Sequence, residues 1–374
     1  MLFIFFYHLL LATEQLVNAI TTYKIGTTES IDSMHYHNLR FAIDSWNHAN
    51  TIYNEVSLEL IFASTTGSTV DERMCDILQR NLVAVVVSTV LSPLDSSLLQ
   101  SMCLHFHVPC LTLVDNSDDE NNFVTNVSPK RGLLTSAIAQ LIEHLRWNTF
   151  LLIYSERRDL IELNELISGW SSTSKVRPIV KARQLPQNIE DLQPFLKYIR
   201  QLQQNNIVMH SNNISTIFSF LRQASSLNMT ESRYSYIFTN PDLSLLDHFL
   251  NSADSVFQCN ITGVQIVKTD PSMKTELALT MDAVDAIGAA LLKLKSQELS
   301  PVATPLLCDA HDTWFDGEMM NGAIRNVSLD SGSTGKLMFT ANGQRSDLFI
   351  DGMGRINGEI VKVSALVKRT DAIL

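Results

Sequence analysis

Leu82-Val83-Ala84-Val85-Val86-Val87 runs without a polar break, and four of its six side chains are valine. β-branched side chains fit a pleated surface, and a strand with no polar alternation has both of its faces covered. The run therefore reads as a central strand of a parallel sheet with helices on either side. A helical stretch at residues 71–80 leads into it. Another at 94–105 leads out and delivers the chain to a second apolar run at 108–114. Ser88-Thr89 stands at the carboxyl end of the strand, the edge at which open α/β sheets bind ligands.

Working outward, the alternation continues through most of the 374 residues. Residues 23–26 read as a first strand. The stretch 34–49 carries Leu39, Ile43 and Trp46 at helical spacing, and 56–63 is a strand. Acidic and polar residues 115–122 mark a surface linker, after which helix and strand alternate again. A helix at 129–147 opens with Pro129 in its first turn. Strands follow at 149–154, 176–182, 207–209, 234–238 and 261–267, with helices at 159–170, 189–201 and 214–227 between them. After a second linker at 268–271 come helices at 273–295 and 312–325. The end of the chain reads as a strand meander at 332–339, 346–351 and 359–367 with glycine-rich turns. The expected class is α/β: two lobes, each a mainly parallel sheet flanked by helices.

Composition narrows the function. An apolar fraction of 45% builds large cores, and a formal net charge of −11 with no basic stripe argues against nucleic acid or an anionic membrane as main partner. Residues 2–12 are nearly all apolar but too short to cross a bilayer, which needs about 20 residues. They suit the core of a secretory signal at residues 1–19, with Val17-Asn18-Ala19 as cleavage site, although no basic residue precedes them; a plain N-terminal strand or anchor is the alternative. The stretch 277–294 comes nearest to a membrane helix, but Asp282, Asp285 and Lys293 interrupt it. Five Asn-x-Ser/Thr sequons, at Asn126, Asn213, Asn228, Asn260 and Asn326, favour an extracellular chain. The five cysteines, Cys75, Cys103, Cys110, Cys259 and Cys308, leave at least one thiol unpaired.

Several local strings, in order, resemble a known family. Cys75-Asp76-Ile77-Leu78 precedes the central strand, and Cys103 and Val108-Pro109 precede the next. Trp147 lies just before a strand. Thr230-Glu231 is followed by Tyr234-x-Tyr236-Ile237-Phe238-Thr239, and then by Asn260-Ile261-Thr262-Gly263-Val264-Gln265. Near the end stand Thr334-Gly335-Lys336-Leu337-Met338-Phe339 and Asn342-Gly343-Gln344-Arg345. Across residues 23–367 this pattern is similar to the amino-terminal, receptor ligand-binding-region domain of ionotropic glutamate receptors, most of all the kainate branch. The resemblance implies a clamshell of the type I periplasmic-binding-protein kind, with lobe one at 20–120, lobe two at 121–267, a return to lobe one at 268–345, and C-terminal strands with an exit segment at 346–374. It also implies a bridge between Cys75 and Cys308, a role in subunit dimerisation and assembly through lobe one, and a secreted or extracellular, synaptic location. Agonist-binding and channel domains lie downstream in that family. The chain is expected to be truncated before them, which makes a secreted decoy of receptor subunits a further possibility. One departure is the replacement of the family's Phe-Gly-Pro-Ser after the central strand by Val87-Ser88-Thr89-Val90, which changes the cleft wall.

The remaining constellations carry two readings each. Cys75 and Cys308 are a bridge or two buried thiols. Cys103-x-His105-x-His107-x-x-Cys110 has zinc-type ligands at short spacing, but the helical part of the segment sends i, i+2 side chains in different directions, so the cysteines read as core fillers and no metal is expected. His35-x-His37 has the same defect. Gly332–Leu337 is a phosphate-loop look-alike that has Asp330 where the first glycine belongs and Leu337 after the lysine, so a turn into a strand is expected. No nucleophile elbow, His-Glu-x-x-His helix or dinucleotide turn is present, and neither enzyme activity nor a cofactor is expected. Ser88 and Thr89, facing Tyr154 and Ser155 across a cleft, are candidates for holding an amino-acid carboxylate; ordinary strand-end polarity is the other reading. Helices 34–49 and 94–105, with Tyr36 and Phe106, are candidates for a subunit interface, or else they face the sheet.

Overall fold

In the computed structural model, which describes residues 20–50, 56–64, 69–88, 91–114, 123–130, 132–168, 178–252, 257–310 and 312–366, all six side chains of Leu82–Val87 are buried. The proposed signal, the linker at 115–122 and Thr89 lie outside the described residues. The first part of the chain is β1 (Thr21–Thr27), α1 (Met34–Asn50), β2 (Val56–Phe62), α2 (Val70–Leu78), β3 (Leu82–Val87), α3 (Pro93–Phe106), β4 (Cys110–Thr112) and β5 (Val124–Asn126). Its strands form one parallel sheet in the order β2-β1-β3-β4-β5. The step from β1 to β2 runs one way along the sheet and the steps to β3 and β4 run the other. Right-handed crossovers then put α1 on one face and α2 with α3 on the opposite face.

The second part is α4 (Leu133–His144), β6 (Thr149–Tyr154), α5 (Asp159–Glu162), α6 (Asn164–Ser168), β7 (Ile179–Gln184), α7 (Gln193–Gln201), β8 (Asn206–His210), α8 (Ile214–Ser226), β9 (Ser235–Phe238), a short 3-10 turn at Leu243–Leu246, α9 (Asp247–Leu250) and β10 (Asn260–Gln265). Phe150 and Leu152 of β6 enter the core shared with the first sheet, while Leu151 and Ile153 enter a second core under α7 and α8. Covering both faces is what makes this strand read as an unbroken apolar run. The chain then returns along α10 (Thr275–Ser296) and α11 (Gly317–Arg325) to the small sheet β11 (Ser328–Gly332), β12 (Gly335–Phe339) and β13 (Arg345–Ser346). It ends with β14 (Ile350–Ile356) and β15 (Glu359–Leu366), which turn at Asn357-Gly358, both at positive φ, and join the second sheet antiparallel, in the order β15-β14-β10-β9-β8-β6-β7. The architecture is mixed α/β with two parallel sheets flanked by helices, consistent with the two-lobed type I periplasmic-binding-protein kind.

Several elements depart from the sequence expectation. The helix expected over 312–325 starts only at Gly317. Trp314, fully buried, donates from its backbone N–H to Phe106 O (3.0 Å) and from Nε1 to Val302 O (2.8 Å), so the preceding residues act as a strap. The helix expected over 159–170 is broken at Leu163 into α5 and α6. The expected meander is two separate structures. One is the hairpin β11–β12, whose tight turn Gly332-Ser333-Thr334-Gly335 resembled a phosphate loop. Its Ser333 and Thr334 amides donate to the carboxylate of Asp282 on α10 (2.6 and 3.2 Å), and the Thr334 hydroxyl donates to it as well. An internal carboxylate fills the place an anion would take. Arg345 completes the cluster, its Nη1 lying 3.1 Å from Asp282, with both side chains fully buried.

Cys75 and Cys308 are joined by a disulfide that ties α2 to the segment before α11. Cys103 and Cys110 form a second disulfide, which corrects the reading of them as unbridged core fillers. His107 caps α3 in the left-handed conformation (φ 54°) and reverses the chain, bringing the two Cα atoms to 6.2 Å. The unpaired thiol is Cys259, buried at the edge of the second core.

Candidate functional site

Strand order reverses between β1 and β3 in the first sheet and between β6 and β8 in the second. Crevices at the carboxyl ends of such neighbours are where open α/β sheets take ligands. On the first sheet these ends carry Thr27, Thr28, Glu29 and Ser88, all buried. Ser88 is 4% exposed, and its hydroxyl has no hydrogen-bond partner among the described residues. On the second sheet the ends carry Tyr154-Ser155 and His210-Ser211. The Ser155 hydroxyl donates weakly to His210 O at 3.4 Å. Thr89 lies outside the described residues. Of the four residues picked from the sequence, Ser155 lines a described cavity, and Ser88 and Tyr154 line none of those described.

The cavity at Ser155 has a volume of about 1070 Å³. Three strand ends build it: 155–159 after β6, 184–187 after β7 and 211–213 after β8, with Thr216 of α8 at its base. Asp159, buried, fixes the first of these by accepting the Glu156 N–H at 2.7 Å. Asn213 caps α8, its Oδ1 accepting the Ser215 N–H at 2.9 Å. The sequence marked Asn213 as a sequon but did not mark 211–213 as part of a cavity wall. Ser-Asn-Asn between an apolar run and a helix is an N-cap signature that would have flagged it.

A smaller cavity of about 320 Å³ lies where the chain crosses between the sheets, lined by Ser128, Lys130, His210, Thr239 and Thr275 among apolar neighbours. His210 Nδ1 is 2.7 Å from Thr239 Oγ1. Burial holds the imidazole below its ordinary pKa, with the Asp159 carboxylate opposing the effect. A histidine so placed is neutral at physiological pH and offers a hydrogen bond, not a charge, to this crevice.

The first sheet also carries an exposed apolar surface on its α2–α3 side. Leu94 is 78% exposed and Leu98, one turn on, 39%. Leu307 lines a groove against α2, and Phe315, 96% exposed, follows the Trp314 strap at the end of α3. The aromatic residues expected at an interface are not part of this surface. Phe106 and Tyr36 are both buried, Tyr36 edge-on to Phe62. Helices α1 and α3, paired in the sequence reading, lie on opposite faces of the sheet, so one flat interface cannot use both.

Four of the five sequons present an exposed asparagine: Asn213, Asn228, Asn260 and Asn326. Asn126 does not. It is 2% exposed, its Oδ1 accepts from the Ser128 amide and hydroxyl, and its Nδ2 points to Gln344. The folded chain therefore does not present this asparagine at its surface as it does the other four. Among the described residues no group of three His, Cys, Asp or Glu side chains is placed to hold a metal ion, and no helix is long and apolar enough to cross a membrane.

Residues 36–350 match the family model described as the receptor family ligand binding region. The chain is 28% identical over 309 residues to the Homo sapiens glutamate receptor ionotropic, kainate 4, covering 74% of this chain and 31% of that protein. It is 27% identical over 356 residues to the Homo sapiens glutamate receptor ionotropic, kainate 1, covering 83% and 36% respectively. The chain thus spans about a third of the length of these curated relatives.

Proposed function

Because the chain belongs to the receptor family ligand binding region, we propose that it is the extracellular amino-terminal domain of a kainate-type glutamate receptor-like protein and that it works as a subunit-pairing module. In this reading residues 20–120 with 268–345 form lobe one and 121–267 form the heart of lobe two. Lobe one pairs with a second copy or with a related receptor subunit, and no reaction is catalysed. The observation that carries the reading is the α2–α3 side of the first sheet, where Leu94, Leu98, Leu307 and Phe315 stand exposed. Large apolar side chains left exposed together on one side of a sheet mark association surfaces. The exposed sequons support the same surface. Asn213 and Asn228 flank α8, Asn260 opens β10 and Asn326 follows α11, so no exposed sequon sits on α2 or α3. The test is sedimentation of the purified secreted chain beside a Leu94→Asp/Leu98→Asp variant. A dimer that the double substitution converts to monomer supports the reading. A wild-type chain that stays monomeric at high micromolar concentration and also fails to co-purify with co-expressed kainate-type subunits removes it.

A second reading, a small-molecule sensor, is favoured by the buried Ser88 hydroxyl without a partner among the described residues at the first sheet's switch point. Calorimetric titration with glutamate tests it: saturable heat at micromolar ligand supports a working cleft, and no heat at millimolar ligand ends it.

A further inference from the structure

The cavity at the carboxyl end of the second sheet and the sequon at Asn213 are one feature. Asn213-Ile214-Ser215 is an acceptor sequence, and Asn213 itself lines the rim of the cavity. Its backbone N–H donates to Ser211 Oγ (3.3 Å), its backbone carbonyl accepts from the same hydroxyl (3.2 Å), and its side-chain Oδ1 accepts the Ser215 N–H. These bonds fix the rotamer. With Oδ1 turned onto the helix, Nδ2 is the free edge of the carboxamide, on an exposed residue. The Asn126 carboxamide, by contrast, is spent and buried. The opposite walls of the Asn213 cavity carry the exposed polar side chains of Arg157, Gln184 and Gln187, which suit sugar hydroxyls.

We infer that an N-linked glycan on Asn213 occupies this cavity and shields it, so that the lobe-two side of the cleft is filled by the chain's own carbohydrate instead of standing open to a free ligand. The modification is the ordinary transfer from a lipid-linked oligosaccharide. Nδ2 forms a bond to C1 of the first sugar, the C1–oxygen bond to the lipid diphosphate breaks, the diphosphate leaves with the electron pair, and Nδ2 gives up one proton. The N-cap bond survives the modification, because that bond uses Oδ1.

The inference rests on the extracellular placement proposed above, and Asn228 separates the two. Asn228 is exposed just after α8 and lines none of the described cavities. Secreted chain from a glycosylating host is digested with an N-glycosidase, native and denatured, and site occupancy is followed by glycopeptide mass spectrometry. The expected result is that both sites are occupied, and that Asn213 is released severalfold more slowly than Asn228 from the native chain and at the same rate after denaturation. Asn228 occupied with Asn213 empty, or equal native release rates, overturns this inference alone. Both sites empty overturns it together with the extracellular placement. Hydroxyl-radical footprinting supplies a second readout. Asn213→Gln should raise oxidation of Pro186, on the cavity wall, severalfold, while Asn228→Gln leaves it unchanged. No change in Asn213→Gln refutes the shielding.

Discussion

Replacing Asp285 by asparagine should stabilise the chain at neutral pH and do nothing for it in acid. Asp285 lies partly buried on α10, one turn from the fully buried Asp282. Burial first, and the Asp282 charge second, push its carboxyl up to about 6 from 3.8. A carboxyl whose pKa is higher in the folded than in the unfolded chain favours folding while protonated. That stabilisation is fully present below the unfolded value and is lost as the pH rises through the folded one. Above pH 6 the native state holds a carboxylate where the surroundings favour the acid. The displacement corresponds to about 3 kcal/mol as an upper bound, because one pKa unit is 1.36 kcal/mol. An asparagine of the same shape carries no charge and removes the penalty. Chemical denaturation of wild type and Asp285→Asn at pH 7.4 and pH 4 reads the effect. The variant should be more stable by about 1–3 kcal/mol at pH 7.4, with the gain largely gone at pH 4. A gain of equal size at both pH values, or a loss at pH 7.4, would refute the argument.

Other substitutions test other joints. Gly288→Ala should cost about 1–3 kcal/mol, read as a lower melting temperature, because an added Cβ would stand 2.2 Å from Trp46 Cε2, where α1 packs on α10. Arg345→Met should cost about 3–5 kcal/mol and lower secretion, since it leaves the Asp282 carboxylate buried without its cation. The paired change Cys75→Ala/Cys308→Ala opens a loop spanning 233 residues and should cost about 2–5 kcal/mol by the same denaturation assay.

The α/β alternation was legible because strands such as β3 and β6 are covered on both faces and so read as unbroken apolar runs. What failed to show were features set by contacts distant in sequence or by reversals of the chain. Nothing local to residues 312–316 says that Trp314 is held by Phe106 and Val302, so a helix was expected where a strap runs. The Cys103–Cys110 bridge depends on His107 reversing the chain at positive φ, a conformation the sequence does not announce for histidine. Ser88 and Ser155 were identified as strand-end residues, and they do stand at the two switch points. The cavity at Ser155 is built with the loop 211–213, which carries polarity without periodicity and so was not read as part of a site. The burial of Asn126 is likewise set from outside its motif, by the parallel bridge to Gln344.

The most direct test of subunit pairing through lobe one is sedimentation velocity of the secreted chain, wild type and Leu98→Asp, from nanomolar to high micromolar concentration, alone and with the amino-terminal domain of a kainate-type subunit. Pairing through the α2–α3 side predicts a concentration-dependent dimer or a heterodimer in the wild type and a marked weakening of either in the variant. A wild-type chain that remains monomeric under both conditions, or a dimer indifferent to Leu98→Asp, Leu94→Asp and Phe315→Asp alike, would contradict it.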